Sequence, residues 1–208
     1  MSAVANLNNK SKSQLMDLVK SLTSENTALK EIVRIMESTN ERLEKLEREQ
    51  NKSLQYLRRD TIEISGIPSE IHQNELEKEI LKVFQAAEVK VHGENLQERD
   101  IQAAHRIGKK GVVICKFVNR KFAREGLFCG RNLKGKNVYN NSNVYINDSL
   151  CREFKYLNFV VRKSKNDNII FRWKVRNGIT FVQKKDGDEF EEISHKSDLI
   201  RLGLLESE

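Results

Sequence analysis

Residues 15–57 read LMDLVKSLTSENTALKEIVRIMESTNERLEKLEREQNKSLQYL. With Leu15 at heptad position a, the a and d series is Leu15, Leu18, Leu22, Glu25, Leu29, Ile32, Met36, Thr39, Leu43, Leu46, Gln50, Ser53 and Leu57. Nine of these thirteen residues are apolar, over six heptads without a Gly or Pro. A coiled coil is distinguished from an ordinary surface helix by roughly three to four sustained heptads, so this run exceeds the requirement. The stripe is also narrow, which suits a partner helix better than a globular core of the same chain. The spacing predicts an oligomerising coiled coil over 14–58. Polar Glu25, Thr39, Gln50 and Ser53 weaken the seam and set its register. The preceding segment, 1–13, is polar and aperiodic and is expected to be disordered.

The hexapeptide Arg42-Leu43-Glu44-Lys45-Leu46-Glu47 sharpens this reading. It puts Arg at g, Leu at a and d, and Glu at e, so that Arg and Glu can bridge neighbouring helices across the apolar layer. The pattern is similar to the trimerisation motif of short parallel coiled coils. A homotrimer is preferred, with a dimer left open. The oligomerisation residues are Leu15, Leu18, Leu22, Leu29, Ile32, Met36, Arg42, Leu43, Leu46 and Glu47.

Beyond Arg58-Arg59 the periodicity changes. Thr61–Ile67 alternates like a half-buried strand and stops at Pro68, the only proline. Residues 73–88 read as a helix with Leu76, Ile80, Val83, Phe84 and Ala87 on one face. Strands are expected over 100–107, 111–118 and 143–147, and an arginine-bearing helix over 119–133. The order βαββαβ over 59–147 is that of an RRM. A smaller unit over 148–208 follows. It comprises a helix at 150–165 (Leu150, Phe154, Leu157 and Val161 inward), strands at 169–175 and 179–184 around Asn177-Gly178, a strand at Glu189–Ile193, and a helix at 196–203. The expected fold class is α+β: a long N-terminal coiled-coil helix, an RRM-like domain, and a small C-terminal domain of helix plus antiparallel meander.

The formal net charge is +7, and it is unevenly placed. Residues 105–136 hold ten Lys/Arg and one acid, and residues 151–185 hold ten Lys/Arg and two acids. The rest of the chain holds 17 bases and 27 acids. Two positive segments on an otherwise acidic chain point to an anionic polymer as partner. The three cysteines are widely spaced and odd in number, so a disulfide framework is not expected and a reducing compartment is. Their positions and those of the four histidines give no zinc spacing. No apolar run reaches the roughly 18 residues of a membrane span, and the N-terminus lacks a signal-peptide core. A soluble cytoplasmic or nuclear protein, not secreted, is the expectation. No phosphate loop, H-E-x-x-H helix or nucleophile elbow occurs. No catalytic residues, metal, cofactor or small-molecule substrate are therefore expected.

The binding signal is stronger. RRM proteins stack bases on aromatics of their two central strands, but here only Phe117 is aromatic on those strands. Affinity would come instead from cations on phosphates. In Phe171-Arg172-Trp173-Lys174-Val175-Arg176 the alternation places three cations on one face and Phe171, Trp173 and Val175 on the other. Trp173 either stacks a base or belongs to the core. The candidate nucleic-acid-binding residues are Arg106, Lys109, Lys110, Arg120, Lys121, Arg124, Arg131, Arg172, Trp173, Lys174 and Arg176. The expected cleft lies between the stretch near Arg106 and the Arg172–Arg176 strand, and takes RNA or single-stranded DNA with little sequence specificity.

This layout resembles the first open-reading-frame protein of LINE-type retrotransposons. The resemblance rests on Arg58-Arg59 running into Ile62–Pro68, on Ala104-His105-Arg106-Ile107-Gly108, and on Trp173–Thr180. It implies a trimeric RNA-binding nucleic-acid chaperone that coats its own transcript. By the same resemblance, Arg106, Trp173 and Arg176 fall where that family uses an arginine, an aromatic and a cation. Phe171–Gln183 and Lys196–Gly203 also resemble the C-terminal domain of the baculovirus few-polyhedra (FP) protein. That likeness implies the alternative of a viral or host assembly protein acting mainly through protein partners.

Overall fold

The computed structural model describes residues 12–108, 111–139 and 143–206. Most of the segment expected to be disordered, and Lys109 and Lys110, lie outside the described residues. The chain divides into two compact units, residues 1–47 and 48–208.

The first unit is helix. α1 runs Lys12–Tyr56 without interruption. Its heptad leucines stand in solvent, with Leu29 and Leu46 each 61% exposed. The polar residue at one d position carries its own solution, because the Thr39 hydroxyl donates to the Ile35 carbonyl at 2.8 Å. Its own hydroxyl proton is thus not left unpaired toward the seam.

The second unit begins with the last turns of the same helix. Arg48, Lys52 and Gln55 follow one another at i, i+4 and i+7, a single stripe. Arg48 forms a two-pronged pair with Asp198 at 2.8 and 2.9 Å and also donates to Ser194 and Ser197. Lys52 pairs with Glu192 at 2.7 Å. Gln55 is buried, donating to the Ser149 carbonyl at 3.0 Å and accepting the Cys151 N–H at 2.9 Å. Burial alone would raise the Asp198 carboxyl, but Arg48 and the N–H groups of Ser194 and His195 outweigh it and hold the pKa below its ordinary value. In the heptad these three residues occupy f, c and f. The stripe that docks is thus the one facing away from a and d, and Leu57 at position a stays 71% exposed.

β1 (Thr61–Ser65), α2 (Leu76–Ala86), β2 (Lys90–Val91), β3 (Glu94–Asn95), β4 (Ile101–Ile107), β5 (Val112–Phe117), α3 (Arg120–Cys129) and β6 (Tyr145–Asp148) follow in order. β4, β5, β1 and β6 form one four-stranded sheet in that spatial order, every pair antiparallel. The expected alternation is present: Ile62, Ile64, Val113, Cys115 and Phe117 are buried, and their strand neighbours are not. The helical face expected on α2 is buried in the same cluster through Leu76, Ile80, Val83 and Phe84, with Ala87 just beyond its end. Phe117 sits between Phe84 at 5.3 Å and Phe122 at 6.4 Å, ring centroid to centroid. It therefore belongs to the core rather than to the open sheet face. The β2–β3 hairpin was not anticipated from sequence. It turns at His92 and Gly93, both at positive φ, the geometry of a two-residue hairpin loop.

The remaining elements are α4 (Arg152–Asn166), β7 (Arg172–Arg176), β8 (Ile179–Gln183), β9 (Glu191–Ile193) and α5 (Lys196–Arg201). β7, β8 and β9 make a second antiparallel sheet. Asn177 and Gly178, at φ 54° and 75°, form the turn that their sequence predicts. α4 closes this small core through Phe154, Leu157 and Val161, packed with Val182, Ile193 and Leu199.

Candidate nucleic-acid interface

β6 is an edge strand of the first sheet and β7 an edge strand of the second. Residues of both line a cleft of about 590 Å³ within residues 48–208. One wall holds Ile146, Asn147 and Asp148 of β6 with Glu63 and Leu127; the other holds Trp173, Lys174 and Val175 of β7 with Lys155, Asn158, Phe159 and Arg162 of α4. That volume is in the range of ordinary ligand sites, about 300–1,000 Å³.

The α4 residues reach the cleft because of the helix's own periodicity. Burial of Phe154, Leu157 and Val161 fixes the rotation of α4. Lys155, Phe159 and Arg162, at i, i+4 and i+7, then share one flank. Phe159 is 64% exposed, unusual for a phenylalanine with a core beside it. Trp173 resolves the alternative left by its sequence in an intermediate way. It is half-buried, packs on the C-terminal core, and still contributes to the cleft wall. Two aromatics thus stand among three cations.

The cleft also holds two carboxylates. Lys155 pairs with Glu63 at 2.7 Å. Burial pushes the Asp148 carboxyl above its ordinary range, partly offset by a backbone hydrogen bond from Gly178. Arg162 and Lys174 have no acidic partner among the described residues, and Lys174 lies over the Phe190 ring at 3.6 Å. The linker between the two walls is held from behind by Gln55, which grips Ser149 and Cys151. A Cβ on Gly178 would meet the Gln55 side chain at 2.2 Å, so a side chain there would have to displace Gln55.

The sequence-predicted cations divide into groups. Arg172, Lys174 and Arg176 are all exposed on one face of β7, as alternation requires, and Lys174 enters the cleft. Arg120, Arg124 and Arg131 are exposed on α3 and the turn after it, with Arg131 over the Phe128 ring at 4.3 Å. Lys121 contacts His92 at 2.7 Å. Arg106 is set apart: its two terminal nitrogens donate to the carbonyls of Ile67, Pro68, Ile71 and Gly111. It belongs to β4, the edge strand opposite β6, and does not line this cleft. Lys155, Phe159 and Arg162 were not singled out by sequence. The available signal was an aromatic lying off the apolar stripe of its helix, with cations at i−4 and i+3.

Burial pushes the thiols of Cys115 and Cys129 upward, with nearby acids adding to it and, at Cys129, Arg131 opposing it. Among the described residues no group of three His, Cys, Asp or Glu could hold a metal ion, and no helix is long and apolar enough to cross a membrane. A scan of the chain against models of protein families finds no match, and a search of curated proteins finds none either.

Proposed function

We propose that the protein is an oligomeric, weakly sequence-specific binder of single-stranded nucleic acid, RNA in the first instance, acting as a chaperone or particle former. The observation that carries this reading is the cleft in which Trp173 and Phe159 stand among Lys155, Arg162 and Lys174. Aromatics offer any base a stacking surface, and cations take the phosphates; neither selects a sequence. The strand order β4-β5-β1-β6, with α2 and α3 on one face, supports an RRM-like domain. Its open face lacks central-strand aromatics, since Phe117 is in the core, so the strand is taken at the β6 edge instead.

The exposed a/d stripe of α1 supports self-association, as a trimer through Arg42–Glu47. Because Arg48, Lys52 and Gln55 dock on the face away from a and d, the turns after Glu47 can join a coil without releasing the C-terminal module. Linking several weak sites raises affinity for a long strand by about 10²–10⁴. This is the behaviour that the resemblance to LINE-type proteins implies. A second reading, assembly through protein partners of the FP kind, draws support from the edge strands β6 and β7, since an edge strand can take an extended peptide.

Trp173 is the chain's only tryptophan, so its emission reports the cleft alone. Titration with a short oligo(U) is expected to quench it saturably, and Phe159→Ala to weaken binding by about 1–3 kcal/mol. An unchanged spectrum with oligo(U), but a response to an acidic peptide, would instead favour the protein-partner reading.

A further inference from the structure

Leu127 of α3 lines the cleft and stands within a row of arginines. Arg124 and Arg131 are its neighbours at i−3 and i+4. Arg120 and Phe128 are in turn the i−4 and i+4 neighbours of Arg124. Arg120, Arg124 and Phe128 on α3, with Arg131 in the 3-10 turn that follows, therefore form a strip running past the cleft wall; its α-helical part, Arg120 to Phe128, is about 12 Å long at 1.5 Å per residue. All four are exposed, Phe128 by 59%. None of the three arginines has an acidic partner among the described residues, and Glu125 is the only acid on α3. The side of α3 that faces the core is accounted for separately, by Phe122, Ala123 and Gly126. Gly126 lies so close to Phe84 that an added Cβ would fall 2.7 Å from its ring, which fixes the helix's rotation.

We propose that this strip is a second segment of the nucleic-acid track. A strand leaving the cleft past Leu127 runs along α3, with phosphates on Arg120, Arg124 and Arg131 and a base on Phe128. The occupant is a further stretch of the same single strand, argued from charge complementarity and from continuity with the cleft. The inference rests on the cleft reading. A strip of arginines around one exposed aromatic repeats the composition of the cleft itself, which is what a phosphate-led track needs.

The test uses the full-length chain and two oligo(U) lengths, about 5 nucleotides to fill only the cleft and about 20 to extend beyond it. The variant is Arg120→Ala/Arg124→Ala/Arg131→Ala, with the triple Arg→Lys as a control that keeps the charge. The long strand should lose at least about tenfold in affinity to the alanine variant, and its slope of log affinity on log salt should fall by about 2, at roughly 0.7 per phosphate. The short strand should bind as before, with Trp173 quenching intact, and the lysine variant should recover most of the loss. Equal losses at both lengths, or none at either, would overturn the extension. Silence of Trp173 with both strands in the parent protein would overturn the cleft reading, and the extension with it.

Discussion

Leu43→Asn combined with Leu46→Asn is expected to turn the proposed oligomer into a monomer and to cut affinity for long single strands by about 10²–10⁴. Both leucines are exposed in the single chain, at 53% and 61%, so the fold of residues 48–208 does not depend on them. Their burial is available only against other helices. Each Leu lost from a packed layer costs about 2–5 kcal/mol, and every helix of the coil loses two. Helicity should fall as well, since a long helix without a packing partner has only its marginal intrinsic propensity. Sedimentation gives the mass and circular dichroism the helicity. Quenching of Trp173 by a short strand should be unchanged, because the cleft lies within one chain. An oligomer that survives the double substitution would mean that α1 is not the associating element.

Gly66→Ala is expected to cost about 4 kcal/mol or more, enough to leave residues 48–208 largely unfolded at physiological temperature. Gly66 has φ 93°, a conformation that side chains rarely adopt. A Cβ there would lie 2.1 Å from the Asn143 carbonyl oxygen and 3.1 Å from the Val144 Cα. Those neighbours are backbone, so no side-chain rotation relieves the clash. Relief would require β1 and the chain entering β6 to separate, and β6 is a wall of the cleft. Gly93→Ala is the matched control, with positive φ but nothing within 4 Å of the added carbon, and should cost only about 1 kcal/mol of strain. Chemical denaturation of both variants checks the difference.

Much of the architecture could be read from residue spacing. The unbroken heptads of α1, the buried face of α2, the inward stripe of α4 and the Asn177-Gly178 turn are local patterns, and local patterns carry a period or a turn chemistry. The β2–β3 hairpin escaped because two-residue strands have no period to detect. Gln55 escaped for a different reason. It occupies an outward f position, which predicts solvent, yet it is buried against residues more than ninety positions away. The bonds that hold the candidate cation Arg106 were not legible, because a basic residue in a basic stretch gives no hint of carbonyls 35 to 39 residues earlier in the chain. The same limit applies to the cleft. The Arg172–Arg176 strand showed its alternation openly, whereas its partners Lys155, Phe159 and Arg162 became visible only once the rotation of α4 was fixed by its core.

Affinity for single-stranded RNA measured across a salt series, on the full-length chain, tests the central claim most directly. Binding led by phosphates releases counterions, so log affinity should fall linearly with log salt at about 0.7 per phosphate contacted. With Lys155, Arg162, Lys174 and their neighbours engaged, a slope steeper than about −2 is expected. An affinity that stays flat as salt rises would contradict a phosphate-led cleft.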